Sequence, residues 1–256
     1  MRHTRRETIR ELLNNDGYVI AQELVAKFRV SSETIRRDLE KMEQEGDAQR
    51  VHGGAISVRR TVNESAYQLR QQDHAPEKHA IAKAAAAMIS DGDTVLIAPG
   101  TTTLEVATFL HDKSNVTIIT NSLPVAMELA NSPGINVFCL GGHIRGDDYS
   151  ASGVMAADNL DIFNADKLIM SIGGISPDRG LTDYRMEESA LLRLFINKVD
   201  CVIGIADHSK FGVVSRYNIC PAFRLKHLIT DSGTPEILYK PYQESGVQVH
   251  VVPFDI

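Results

Sequence analysis

"SSETIRRDLEKME", residues 31–43, sets two adjacent arginines on a segment with helical periodicity. At about 100° per residue, Ile35, Leu39 and Met42 fall within roughly 60° of arc. That apolar stripe predicts docking on neighbouring helices. It leaves Ser32, Thr34, Arg36 and Arg37 free along the N-terminal half. Ser31 reads as the N-cap, and Glu33 sits in the first turn, where the helix dipole favours a carboxylate. Upstream, "RVSS" makes a tight turn after a short helix from Ala21 to Phe28. A first helix carries Ile9, Leu12 and Leu13 and ends at "NNDG", residues 14–17. Helix, short helix, turn and longer helix is the helix-turn-helix layout, whose second helix enters the major groove with its N-terminal residues leading. An arginine there contacts guanine bidentately or holds a phosphate.

Outward from this helix, "DAQRVHGGAISV" at 47–58 reads as a hairpin with its turn at Gly53-Gly54. A hairpin after a helix-turn-helix is a wing. Arg50, His52, Arg59 and Arg60 place positive charge on or beside it, suited to the phosphate backbone. The expected DNA-contacting set is therefore Ser31, Ser32, Glu33, Thr34, Arg36, Arg37, Arg50, His52, Gly53 and Gly54. Charge supports a split of roles. Residues 1–60 hold 12 Lys and Arg against 10 Asp and Glu, and the rest of the 256-residue chain holds 15 against 23. A net charge of −6 argues against indiscriminate coating of nucleic acid.

Residues 59–76 are polar and read as a linker, with some helix around Tyr67 to Gln72 and a boundary at Pro76. "EKHAIAKAAAAMI" is an alanine-rich helix. Short Val- and Ile-rich runs then recur: "TVLIA", "VTIIT", "NVFCL", "DKLIMSI", "CVIGIA" and a final "VQVHVV". Helical segments such as "TLEVATFL", "PVAMELA" and "ESALLRLFI" lie between them. Alternation of this kind predicts an α/β domain over 77–256 with a mostly parallel sheet, behind a DNA-binding domain over 1–58. In a parallel sheet the strand C-termini share one edge, which is where open α/β folds bind ligands. Five polar loops are expected to converge there. Gly100, Thr101, Thr102 and Thr103 offer hydroxyls and helix-start amides to an anion. Thr120, Asn121 and Ser122 repeat the arrangement, and Lys210 and Arg145 add charge.

The quoted segments, with "TRRETIRELL" and "RVHGGAI", resemble the DeoR family of bacterial transcriptional regulators. The resemblance continues through "GTTT" at 100–103, "TNS" at 120–122, Gly141-Gly142 and "ADHSKFG" at 206–212, and so covers essentially the whole chain. It implies a repressor of a sugar-catabolism operon that binds double-stranded operator DNA as a homo-oligomer, a dimer or tetramer. It further implies release by a phosphorylated sugar. Gly141, Gly142, Glu188 and Asp207 join the expected effector site on this ground, Gly173 joins it as the start of the strand-end loop "GGISPDRG", and Ser152-Gly153 and Arg193 also fit the family pattern. One departure stands out. Many members carry aspartate two residues before the glycine of "GTTT", where this chain has Ala98 and then Pro99.

The C-terminal fold is also similar to ribose-5-phosphate isomerase and the coenzyme A transferases. An isomerase-like enzyme with an accessory DNA-binding domain is thus the rival reading. Against it, "GGISPDRGLTDYRMEES" carries the acids Asp178, Asp183, Glu187 and Glu188 but no lysine to stabilise an enediolate. Arg179 and Arg185 are poor proton shuttles. No catalytic residue, cofactor or metal is expected. His74 and His79 do not share a helical face, and neither a G-x-G-x-x-G nor a G-x-S-x-G element appears. Cys139, Cys201 and Cys220 read as free thiols, Cys139 and Cys201 buried, in a reducing compartment. The N-terminus lacks the apolar stretch of a signal peptide, and no run approaches the ~20 apolar residues of a membrane span. A cytoplasmic location without membrane contact is expected.

Overall fold

Ser31 stands in extended backbone, and its Oγ accepts a hydrogen bond from the Thr34 amide at 3.3 Å, so the next helix starts at Ser32. The computed structural model describes residues 2–61 and 64–254, with the side chains of 2–4 and 60 excepted. Helix α1 (Arg2–Asp16) leads through β1 (Tyr18–Ile20) into α2 (Ala21–Phe28). Arg29, left-handed at φ 51°, ends α2 and opens the turn to α3 (Ser32–Glu45). Gly46, at φ 79°, closes α3 by donating to the Glu43 carbonyl. Ile35, Leu39 and Met42 are buried against Ile9, Leu13 and Leu24, as the stripe requires. Strands β2 (Gln49–Val51) and β3 (Gly54–Ile56) form the wing, and β1 completes an antiparallel sheet in the order β1-β3-β2.

The wing differs from expectation at its turn, which falls at His52-Gly53. Gly54 instead lies inside β3. A Cβ on Gly54 would run into the Val19 carbonyl and come within 2.8 Å of Ile237, so only glycine allows β1 this close.

The stretch expected as a linker is built into the C-terminal unit. Strand β4 (Arg59–Arg60) pairs in parallel with residues 213–214, and α4 (Tyr67–Gln72) leads to α5 (Ala75–Ala87). Pro76 sits in the first turn of α5, where its missing N–H costs nothing. Residues 62–63 and the side chain of Arg60 fall outside the described residues.

The sheet follows from β5 (Thr94–Ile97). Helix α6 (Thr101–Thr108), β6 (Val116–Thr120), α7 (Leu123–Leu129) and β7 (Ile135–Cys139) build outward in one direction. A small ribbon, β8 (His143–Ile144) with β9 (Ala151–Ser152), and α8 (Val154–Leu160) come next. The chain then returns to the centre at β10 (Lys167–Ser171). Strands β11 (Gly174–Ser176) and β12 (Gly180–Asp183) precede α9 (Met186–Asn197) and β13 (Cys201–Ile205). Strand β14 (Val213–Val214) receives β4, and β15 (Tyr217–Cys220) pairs with β12. Strand β16 (His227–Asp231), α10 (Glu236–Glu244) and β17 (Gln248–Val252) finish the fold.

The main sheet runs β17-β16-β13-β10-β5-β6-β7, with every neighbouring pair parallel. Strand β16, "HLITD", adds a member that the apolar runs did not reveal. Side chains alternate between two cores. Val95, Ile97, Ile118, Ile169, Ile203 and Ile229 pack under α5, α6 and α7. Leu96, Ile119, Leu168, Met170, Val202 and Leu228 pack under α8, α9 and α10. Both faces are covered, which is why the strands read as continuous apolar runs. The wing joins the second core: Ile56, with Tyr18, Ile20 and Val51 beside it, belongs to the same cluster as Ile237, Leu238 and Tyr242. Among the described residues, no helix is long and apolar enough to cross a membrane. The cysteines are free, but Cys139 is exposed and Cys201 only half-buried, correcting the reading of buried thiols. Cys139 is the last residue of β7, the edge strand of the sheet.

Candidate functional site

Two regions concentrate unsatisfied or paired charge. The first is the outer face of α3. Ser32, Glu33, Arg36 and Arg37 are exposed, and Thr34 is half-buried. Glu33 gathers both arginines: Arg36 Nε donates to it at 2.8 Å and Arg37 Nε at 2.8 Å. Those two hydrogen bonds hold the Glu33 carboxyl at about 2, so the cluster stays ionised at any physiological pH. The side chain of Arg37 is 71% exposed and, among the described residues, makes no ion pair beyond Glu33, whereas Arg36 also lies 3.5 Å from Glu40.

A cleft of about 250 Å³ runs between α1 and α3, lined by Arg5, Arg6, Glu33, Thr34, Arg37, Asp38 and Lys41. Arg5 is locked to buried Asp38 at 2.5 Å, which ties α1 to α3. Arg5, Arg6 and Lys41 carry no signal in the sequence that separates them from ordinary surface charge. On the wing, His52 and Gly53 are exposed at the turn. Arg50 turns back, its backbone N–H donating to Glu43 at 2.8 Å and its guanidinium lying 3.9 Å from Glu40. Ser31 spends its hydroxyl on capping and on Thr34, 2.9 Å away.

The second region lies where the strand order reverses, between β5 and β10, the position at which open α/β sheets bind ligands. A cavity of about 390 Å³ opens there. The loops after β5, β10 and β13 supply Gly100, Thr101, Thr102, Ser171, Gly173 and Asp207, and Lys210 follows from the short 3-10 turn His208–Lys210. A Cβ on Gly100 would lie 2.5 Å from Ser171 Oγ, so glycine is what lets the two loops meet.

The other expected loops do not reach the cavity. Strands β6 and β7 lie on the far side of β5, away from the reversal. Thr120 donates to the Ile97 carbonyl at 2.7 Å, Asn121 to the Ala151 carbonyl at 2.9 Å, and Ser122 caps α7. Thr103 is buried and donates to the Gly100 carbonyl at 3.0 Å. Gly141 and Gly142 lead into the β8–β9 ribbon, Gly142 lying against the Ser152 backbone. None of these six lines the cavity, although Asn121 also bonds the Glu188 side chain, and three loops converge where five were expected. Ala98, in place of the family's common aspartate, is buried in the core.

Arg145 and Glu188 line a small adjoining recess that shares Glu64, Arg70, Gly100 and Asp183 with the main cavity. Arg145 binds Asp148 at 2.5 Å and Glu188 at 3.3 Å. Burial pushes the Glu188 carboxyl up to about 7 despite that guanidinium. Burial also raises Asp183. Asp207 goes the other way: burial acts against its charge, but Lys210, Ser209 and His74 outweigh it and hold the carboxyl below the usual range. Ser171 Oγ, Arg145 Nη1 and Glu188 Oε1 are buried without a partner among the described residues.

The expected linker supplies most of what sequence reasoning missed. Arg59, Glu64, Arg70, Asp73 and His74 line the main cavity, together with Lys78 of α5. Arg70 pairs with Glu64 at 2.7 Å. Lys78 is buried and donates to the carbonyls of Arg70 and Asp73, and burial lowers its pKa. The density of opposite charges in 59–76, against few of the glycines and serines of a flexible linker, is the signal that marks this segment. The fold also brings together a group that spacing along the chain hides: ligand atoms of His74, Asp207 and His208 lie within 4.8 Å of one another.

Residues 5–61 match the family model described as DeoR-like helix-turn-helix domain, and residues 73–232 match that described as DeoR C terminal sensor domain. The chain is 33% identical to the HTH-type transcriptional regulator GolR of Listeria innocua, covering 96% of this chain and 97% of the relative. It is 32% identical to the glycerol-3-phosphate regulon repressor of Escherichia coli, covering 98% and 100%. A structure of D-ribose-5-phosphate isomerase aligns over 54% of this chain and 53% of its own at 17% identity, with a TM-score of 0.39, a likeness too slight to argue from.

Proposed function

The chain belongs to the DeoR family of transcriptional regulators, and from that premise we propose that it represses a carbohydrate-catabolism operon and is released by a phosphorylated sugar. One observation carries the reading: the cavity and the wing share structural parts. Arg59 lines the cavity and donates to the carbonyls of Ser209 and Phe211, at 3.5 and 3.4 Å. Its backbone N–H donates to Gly212 at 2.8 Å, beside the last residues of the wing, and a Cβ on Gly212 would lie 2.5 Å from the Ser57 carbonyl. A ligand that moves residues 207–212 therefore moves β4 and the base of the wing. Release follows if the ligand binds the displaced arrangement more tightly, with coupling on the order of 1–3 kcal/mol.

The ligand class follows from the lining. Cations at Arg59, Arg70, Lys78 and Lys210 suit a phosphate, and the acids Glu64, Asp73 and Asp183 suit hydroxyls that donate. Thr101, Thr102 and the first amides of α6 complete an anion seat. On DNA, Ser32, Arg36, Arg37, His52 and Gly53 face the duplex, with Arg6 and Lys41 on the backbone. A single winged module makes a small interface, so a second copy binds beside it. The exposed Phe138, Ile144, Tyr149, Val154, Met155 and Ile162, all from 138–162, supply an apolar surface for that pairing. A cytoplasmic protein fits this role.

Two tests apply. Thr102→Ala is expected to leave operator affinity unchanged and to weaken sugar-phosphate binding by about 1 kcal/mol, roughly fivefold. Calorimetric titration against a panel of sugar phosphates measures this, and equal affinity in variant and parent removes the threonine loop from the site. The protein is also expected not to interconvert aldose and ketose phosphates, because Lys78 is held by two carbonyls. Turnover above background would revive the isomerase reading.

A further inference from the structure

We propose that His74, Asp207 and His208 bind a divalent transition-metal ion at the mouth of the cavity. The three come from separate places: His74 precedes α5, Asp207 ends the run after β13, and His208 opens the 3-10 turn. Their ligand atoms lie within 4.8 Å of one another, and the two imidazoles sit edge to face with centroids 4.7 Å apart. Ligands about 2.1 Å from a tetrahedral ion stand roughly 3.4 Å apart, so small side-chain rotations close the set.

Each ligand is prepared for this role by a second group. Asp231, fully buried, lies 3.0 Å from His208 Nδ1, and Glu77 lies 3.4 Å from His74 Nδ1. A carboxylate on Nδ1 fixes the tautomer that protonates it and leaves Nε2 as the electron-pair donor, the outer arrangement common to histidine metal sites. On Asp207, Oδ1 accepts from the Ser209 amide at 2.9 Å, while among the described residues Oδ2 has only Lys210 at 4.0 Å. His74 holds φ 55°, a conformation rare outside glycine, so the backbone bears strain where its ring is presented.

Charge and donor type select the ion. Asp207, Asp231 and Glu77 outnumber the neighbouring cations Lys210 and Lys78. Two imidazoles and one carboxylate suit zinc-class ions over magnesium or calcium. Three protein ligands leave a fourth position open, and Asp207 and His74 both line the cavity, so that position faces its contents. The inference is independent of which effector the cavity takes.

The test uses the full chain, freed of metal by chelator and titrated with Co(II) and Zn(II). One equivalent of Co(II) is expected to bind per chain with visible ligand-field absorption, and Zn(II) to displace it. His74→Ala and His208→Ala are each expected to lower Zn(II) affinity at least tenfold, and Glu77→Gln by less, while His79→Ala, at an exposed histidine outside the cluster, leaves it unchanged. Should His208→Ala fail to fold, His74→Ala decides alone, because its side chain is partly exposed. Absence of stoichiometric binding, or equal affinity in the parent and His74→Ala, would overturn the assignment.

Discussion

Alanine at position 37 is expected to weaken operator binding by about 1–3 kcal/mol if Arg37 reads a base edge. The guanidinium is the most exposed cation of α3 and, among the described residues, is held only by Glu33, so it is oriented yet available. Arg36→Ala is expected to cost less, since Glu33 and Glu40 both hold Arg36 before any DNA arrives. The two kinds of contact separate experimentally. A lost base contact weakens the operator complex and spares a random duplex. A lost phosphate contact weakens both and flattens the dependence of log affinity on log salt by about 0.9. Fluorescence anisotropy with the two duplexes at several salt concentrations gives all the needed values. Unchanged operator affinity in both variants removes α3 as the recognition helix.

That α3 was readable at all reflects how local its determinants are. Ser31, the Ile35-Leu39-Met42 stripe and the break before it lie within about a dozen residues, and each acts through its immediate neighbours. The parallel strands were legible for a related reason, since burial on both faces writes an unbroken apolar run. Strand β16 escaped because its run is short and bracketed by Lys226, His227 and Asp231, which look like loop. Strand β1 escaped because three residues between two helices are too few to show a period. Its partner is β3, and only long-range pairing makes it a strand.

The ligand cavity was half legible. Topology located it, because strand ends share one rim. Topology did not say which strands meet at the reversal, and that depends on chain crossovers no local pattern records. Thr120, Asn121 and Ser122 therefore looked equivalent to Thr101 and Thr102, although their side chains satisfy backbone groups instead. Turn chemistry and ligand chemistry draw on the same residue types. The converse error fell on Arg59, Glu64, Arg70 and His74. Polar residues in a segment without periodicity read as solvated, and only the docking of β4 on β14 turns them inward.

Glu188→Gln is expected to stabilise the protein at alkaline pH by about 3 kcal/mol relative to its effect at pH 4. Burial holds the folded-state carboxyl near 7 against an ordinary 4.5. Arg145 favours the charged form, but Asp183 and Asp148 oppose it, and desolvation exceeds them all. Below about pH 4.5 the carboxyl is protonated in both folded and unfolded chains, and the group costs nothing. Between 4.5 and 7 the unfolded chain releases the proton while the folded chain keeps it, so stability falls as pH rises. Above about 7 the folded protein carries a buried carboxylate, and the loss levels off at about 1.4 kcal/mol per pH unit of separation. Glutamine has the same shape and no proton to lose, so its advantage should grow across that window and then stay constant. Urea unfolding of both proteins at pH 4, 6 and 8 measures the gap. A gap that does not change with pH would mean that Glu188 titrates normally, with Arg145 fully offsetting its burial.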